Sequence, residues 1–195
     1  MAGSTLNLTA ELESLIADIA SALPEFGHID PTRLMVCVNS SRSSRYGCYA
    51  KIHPLRFAGG ETSRLVRRGR SHFNCIMPEI SHRGVEMLYV IYFTLPRFID
   101  RPLQDKLITI FHELYHISPE FDGDIRRFPG RNFAHGASAK KYNELMAGFV
   151  ERYLQLPGRR ELVTFLDADM AGLRQQYRAI VGRKLAMPKV RVEKV

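Results

Sequence analysis

The chain has 195 residues, 45% of them hydrophobic and 25% charged, the balance of an ordinary globular protein with a core large enough to stand without disulfide staples. No apolar run approaches the roughly 18 residues of a membrane span, and the N-terminus lacks the basic start and continuous apolar stretch of a secretory signal, so the expectation is a cytoplasmic, non-membrane protein. The net charge of +8 admits a nucleic-acid partner but is equally satisfied by a solvated surface.

In chain order, the apolar positions Leu8, Leu12, Leu15, Ile16 and Ile19 predict a helix over 8–22, with Thr9 placed as its N-cap. Leu34 to Val38 reads as a short buried strand, 39–47 as a polar loop, and Cys48 to Phe57 as a second strand broken by Gly59-Gly60. Residues 61–71, with Arg64, Arg67, Arg68 and Arg70, read as an exposed connection before a strand from Phe73 to Met77. Met87 to Phe93, aromatic and β-branched, is the strongest strand signal and belongs at a sheet centre. Asp100 is placed as N-cap of a helix with Pro102 in its first turn and an apolar stripe through Leu103, Leu107, Ile110, Phe111 and Leu114. A loop over 118–136 follows, long enough to be functional. Helical spacing returns over 138–156 and again, as a single helix, over 160–182, ahead of a loose basic tail at 183–195. Cys37, Cys48 and Cys75 form no Cys-x-x-Cys pair and are read as reduced thiols. No linker divides the chain, so one domain over 1–195 is expected, its core about 29–156 and the helices 8–22 and 160–182 as additions.

Chemistry concentrates in Phe111-His112-Glu113-Leu114-Tyr115-His116-Ile117. Histidines four apart on a helix share one face with Cβ atoms roughly 5–6 Å apart, close enough for both imidazoles to reach one Zn²⁺ at about 2.0–2.1 Å. Glu113 stands beside the metal rather than on it, placed to take a proton from a water that zinc acidifies toward a pKa of about 7. Catalytic zinc takes a third protein ligand. His135, where the long loop meets the next helix, is the leading candidate, ahead of Glu144 and of Asp122, six residues after His116. His28, His53, His72 and His82 have no ligand spacing. Tyr115 and Tyr142 read as core aromatics, and Arg126 and Arg127 as solvated loop residues.

The strand residues 89–92, the motif 112–117, the Gly-Asp-Ile-Arg stretch at 123–126 and His135-Gly136 together resemble the phage-type metallopeptidases, small zincins with the same order of elements as SprT-like proteases. The resemblance covers roughly 29–150. It implies an α+β, zincin-like fold, a small mixed sheet packed against the HExxH helix, and a zinc-dependent metallopeptidase acting on a protein or peptide. SprT-like members act on proteins bound to DNA. Two other readings stand beside it. One is a non-catalytic zinc-containing module that docks on nucleic acid through arginine-rich segments 64–70 and 126–131; the other is a zinc hydrolase of a different bond.

Overall fold

The structure, a computed structural model, describes residues 4–40, 48–129 and 139–195. Residues 41–47 of the loop expected over 39–47, and the expected ligand His135, lie outside them. In chain order the strands and helices are β1 (Thr5–Asn7), α1 (Leu8–Ala22), β2 (Leu34–Ser40), β3 (Ala50–Pro54), β4 (Ser63–Arg68), β5 (Ser71–Ile76), β6 (Ser81–His82), β7 (Val85–Glu86), β8 (Tyr89–Leu95), α2 (Leu103–Tyr115), α3 (Ala139–Leu154), α4 (Arg159–Leu162), α5 (Met170–Gln176), β9 (Ala179–Val181) and β10 (Arg191–Lys194). The architecture is mixed α+β. Among the described residues no helix is long and apolar enough to cross a membrane.

The central sheet has the order β2-β8-β3, with β8 parallel to β2 and antiparallel to β3. The unbroken apolar run of β8 follows from burial on both faces. Tyr89, Ile91 and Phe93 face the main core with α1, α2 and α3, while Val90 and Tyr92 join Met35, Cys37, Leu55 and Met87 on the opposite side. Burial there pushes the Cys37 thiol up to about 11, which keeps it protonated and unreactive. The main core runs from Leu6 to Leu173. Phe26, just after α1, meets Phe111 of α2 edge-on at 5.3 Å and Phe149 of α3 at 5.4 Å, so one ring ties three helices together. Along α2, Leu107, Ile110, Phe111 and Leu114 are fully buried, as the spacing predicted.

Five expectations are corrected. Asn7, not Thr9, caps α1, its side chain accepting from the Ala10 amide at 3.2 Å. Thr9 is buried instead, and its hydroxyl accepts from the Arg183 amide at 2.8 Å. Asp100 does not cap α2: Pro102 sits at that position without a side-chain cap, and the Asp100 carboxylate accepts from the Met170 amide at 3.0 Å.

The connection expected at 61–71 is a hairpin. β4 pairs antiparallel with β5 around Gly69, whose φ of 61° suits a tight turn, and β10 adds to the other side of β5. The tail therefore ends in a strand rather than loose. Its start is also anchored, by the Val38 amide donating to the Arg183 carbonyl at 2.8 Å and by Arg183 pairing with Glu13.

The single helix expected over 160–182 is broken into α4, a 3-10 turn at Thr164–Leu166, α5 and β9. Tertiary partners take the backbone groups that a continuous helix would use. Lys106, only 1% exposed, donates from Nζ to the Leu166 and Ala168 carbonyls at 2.8 Å each. The Asp169 carboxylate accepts from the Gly172 amide at 2.7 Å and starts α5 afresh, while Ile180 enters a parallel ladder with Leu6 of β1.

Candidate metal centre

Helix α2 delivers the motif because its apolar stripe locks the helix to the sheet and leaves the remaining face for His112, Glu113 and His116. The two imidazole centroids lie 4.8 Å apart with planes at 77°. His116 is buried and His112 half-buried. Glu113 is 8% exposed, and its Oε2 accepts from the Ile52 amide of β3 at 2.8 Å. Burial pushes the Glu113 carboxyl up to about 7, against the Ile52 amide and the Lys51 charge, which pull it down. His112 and Glu113 line a cleft of about 350 Å³ between α2 and β3, bounded also by Tyr49, Ala50, Arg101 and Asp105.

Helix α3 closes the other side. Tyr142 stacks on His116 at 5.5 Å and meets His112 edge-on at 4.8 Å. Burial, followed by the nearby Glu113, holds the Tyr142 hydroxyl far above the usual tyrosine range, so it remains a proton donor. Asn143 Oδ1 lies 3.3 Å from His112 Nδ1. That oxygen accepts when Nδ1 carries the proton, the tautomer in which Nε2 is the nitrogen that binds a cation. Two imidazoles on one helix face, with a carboxylate held beside them, are the donor types that fit a zinc ion drawing a third donor from elsewhere in the chain.

The two alternatives to His135 have partners of their own. Glu144 is exposed and lies 3.9 Å from Lys140 on its own helix. Asp122 accepts from the Asp124 amide at 3.1 Å within its own turn. Among the described residues no group of three His, Cys, Asp or Glu side chains is placed to hold a metal ion. What the described residues bring together on this face of α2 is two imidazoles, His112 and His116, with the Glu113 carboxylate between them in sequence.

Arg126, expected to be solvated, instead stops α2. Its amide donates to the His116 carbonyl at 2.6 Å, its Nε to the Tyr115 carbonyl at 2.8 Å, and its guanidinium lies 4.2 Å from the Tyr115 ring centroid. Tyr115 packs with Phe26 and Phe149, as an aromatic core residue should. The contacts of Ile52, Tyr142 and Asn143 with the motif had no counterpart in sequence reasoning beyond the apolar spacing that put Tyr142 on the inner face of α3.

The segment after α2 is held by Tyr89, whose hydroxyl accepts from the Gly123 amide at 2.9 Å and donates to the Asp124 carbonyl at 2.8 Å. Gly123 has φ 89°, and a Cβ there would come within 2.5 Å of Arg56 Cγ. Gly123→Ala should therefore destabilise the fold by about 1–3 kcal/mol, through both strain and crowding. A melting temperature within a degree of the parent would contradict that account.

Compared with known protein families, curated proteins and solved structures, the chain matches none.

Proposed function

We propose that this chain is a zinc-dependent metallopeptidase of the HExxH type with a zincin-like fold, hydrolysing peptide bonds with Glu113 as general base. The observation that carries the reading is the pair of imidazoles 4.8 Å apart on successive turns of α2, with a buried carboxylate held against β3 between sheet and helix. The metal ligands of this reading are His112, His116 and His135. Support for His135 is positional: it precedes α3 by four residues, and the first turn of α3 carries Tyr142 and Asn143 onto His112.

His112, His116 and His135 would hold the zinc, which when bound would supply Lewis-acid chemistry and lower a water's pKa toward about 7. Glu113 takes the proton of the attacking water and passes it to the leaving amine, so water adds across one amide and yields a carboxylate and an amine. Asn143 and Tyr142 hold the imidazoles in orientation. The cleft between α2 and β3 receives the substrate backbone.

Chain purified without chelator and supplied with zinc should hold one zinc per molecule by atomic absorption. His112→Ala and His116→Ala should each lower zinc affinity by more than tenfold, while His135→Ala separates the assigned third ligand from Glu144→Ala and Asp122→Ala, which should keep the metal. A parent protein that takes up no zinc would remove the proposal. Zinc that survives loss of His135 would move the third ligand elsewhere.

A further inference from the structure

The hairpin of β4 and β5, widened by β10, holds a dense block of positive charge. Residues 63–76 and 191–195 contain Arg64, Arg67, Arg68, Arg70, Arg191 and Lys194 against a single acid, Glu193, and so carry more than half of the chain's net charge of +8. All six cations are exposed. The register shows that both surfaces of the sheet are cationic. Arg64 and Arg68 alternate with Arg67 along β4, so they project on opposite sides, and Lys194 stands across Phe73 from Val66. Three arginines gather at the tip, around the two-residue turn Gly69-Arg70.

Such a sheet is hard to explain as packing alone. A three-stranded sheet normally buries one apolar face. Here, among the described residues, the only buried one in the sheet is Cys75 on the central strand, with Phe73 and Val66 half-buried on the same face, while the rest of β4 and every residue of β10 are exposed. Leu65 is 61% exposed, between Arg64 and Val66 in sequence and two residues from Arg67. Like charges this close repel one another, and a polyanion relieves that repulsion by replacing its own counterions with the arginines. An antiparallel ribbon is also a shape that the major groove of duplex DNA admits, with guanidinium groups on either side to reach phosphates.

We propose that the sheet β10-β5-β4 is a nucleic-acid-binding face, with the arginine tip at residues 67–70 contacting the phosphodiester backbone. This inference is independent of the zinc reading, because none of these residues lines the α2–β3 cleft.

The test is fluorescence anisotropy of the full-length protein with a labelled duplex of roughly 20 base pairs, titrated over salt from about 50 to 200 mM. The logarithm of the association constant should fall linearly with the logarithm of salt, with a slope of about −0.9 for each phosphate engaged. The combined variant Arg67→Ser, Arg68→Ser, Arg70→Ser should lose more than tenfold in affinity at low salt and flatten the slope by about 2–3. The matching triple lysine variant should keep most of the slope, since lysine preserves the point charge. Melting curves of all three proteins exclude misfolding as the cause, because the substituted side chains are exposed. A single strand of equal length and vesicles of phosphatidylserine with phosphatidylcholine serve as the other arms. Tighter binding to the single strand keeps the face but changes its preferred form of nucleic acid. Absence of DNA binding at low salt, an unchanged slope in the serine variant, or binding to vesicles but not to DNA would overturn the proposal. The arginines would then serve to keep an exposed sheet edge from pairing with other chains.

Discussion

Glu113→Gln is expected to leave zinc bound and lower peptide hydrolysis by about 10²–10⁴-fold, the usual contribution of a general base. The amide has the same shape as the carboxylate and still accepts from the Ile52 amide, so the link between α2 and β3 persists. It cannot take a proton from water. Because burial already disfavours the charged carboxylate at this position, a neutral amide should fold at least as stably as the parent. Three readouts on one variant therefore separate the roles: zinc content unchanged, melting temperature unchanged or raised, and kcat/KM collapsed. Turnover within about fivefold of the parent would sink the assignment of Glu113 as base. Zinc loss with Glu113→Gln would make it a ligand instead.

Lys106→Ala is expected to cost about 2–5 kcal/mol of folding stability, a large share of what a domain of this kind possesses. Lys106 lies on the buried side of α2, with its ammonium tied to the Leu166 and Ala168 carbonyls. Burial lowers its proton affinity, and Asp100, Asp169 and Asp167 oppose that by stabilising the charge. Truncation leaves one buried and one part-buried carbonyl without this donor and opens a cavity beside α2, each a recognised source of large destabilisation. Lys106→Met restores most of the volume but not the donors, so it should recover only part of the loss. Denaturant unfolding that places both variants within about 0.5 kcal/mol of the parent would show that the two carbonyls find other partners. The residue lies nearly two turns from His112, so in a protein that remains folded the zinc content should not change.

Lys106 also shows where reading by residue type stops. Its spacing on α2 matches the apolar stripe, yet only the fold reveals that segment 164–170 brings carbonyls to meet it. The same segment misled the periodicity argument. Leu162, Phe165, Leu166, Met170 and Leu173 fall at helical intervals, and all but Leu162 are buried, but the chain turns among them because its backbone groups are already engaged by Lys106 and Asp169. The β4 half of the hairpin, Ser63–Arg68, was invisible for the opposite reason, whereas β5 was expected as the strand from Phe73 to Met77. A strand with an exposed, arginine-rich surface carries no alternation of apolar and polar residues, and it exists because β5 and β10 pair beside it.

Local features did carry through from the sequence. β8 is central because its residues are apolar on both sides, and α2 presents the histidines on one face because four residues make about one turn. These elements are determined by short-range chemistry: side-chain spacing, β-branching and the 3.6-residue period. What the tertiary structure decided is which partner each polar group meets. Ile52 reaches Glu113 across 61 residues and Asn143 reaches His112 across 31, whereas Glu144, one position along, faces solvent. No local rule selects between Asn143 and Glu144, because the choice depends on the rotation of α3 against α2, set by the packing of Phe26, Phe111 and Phe149.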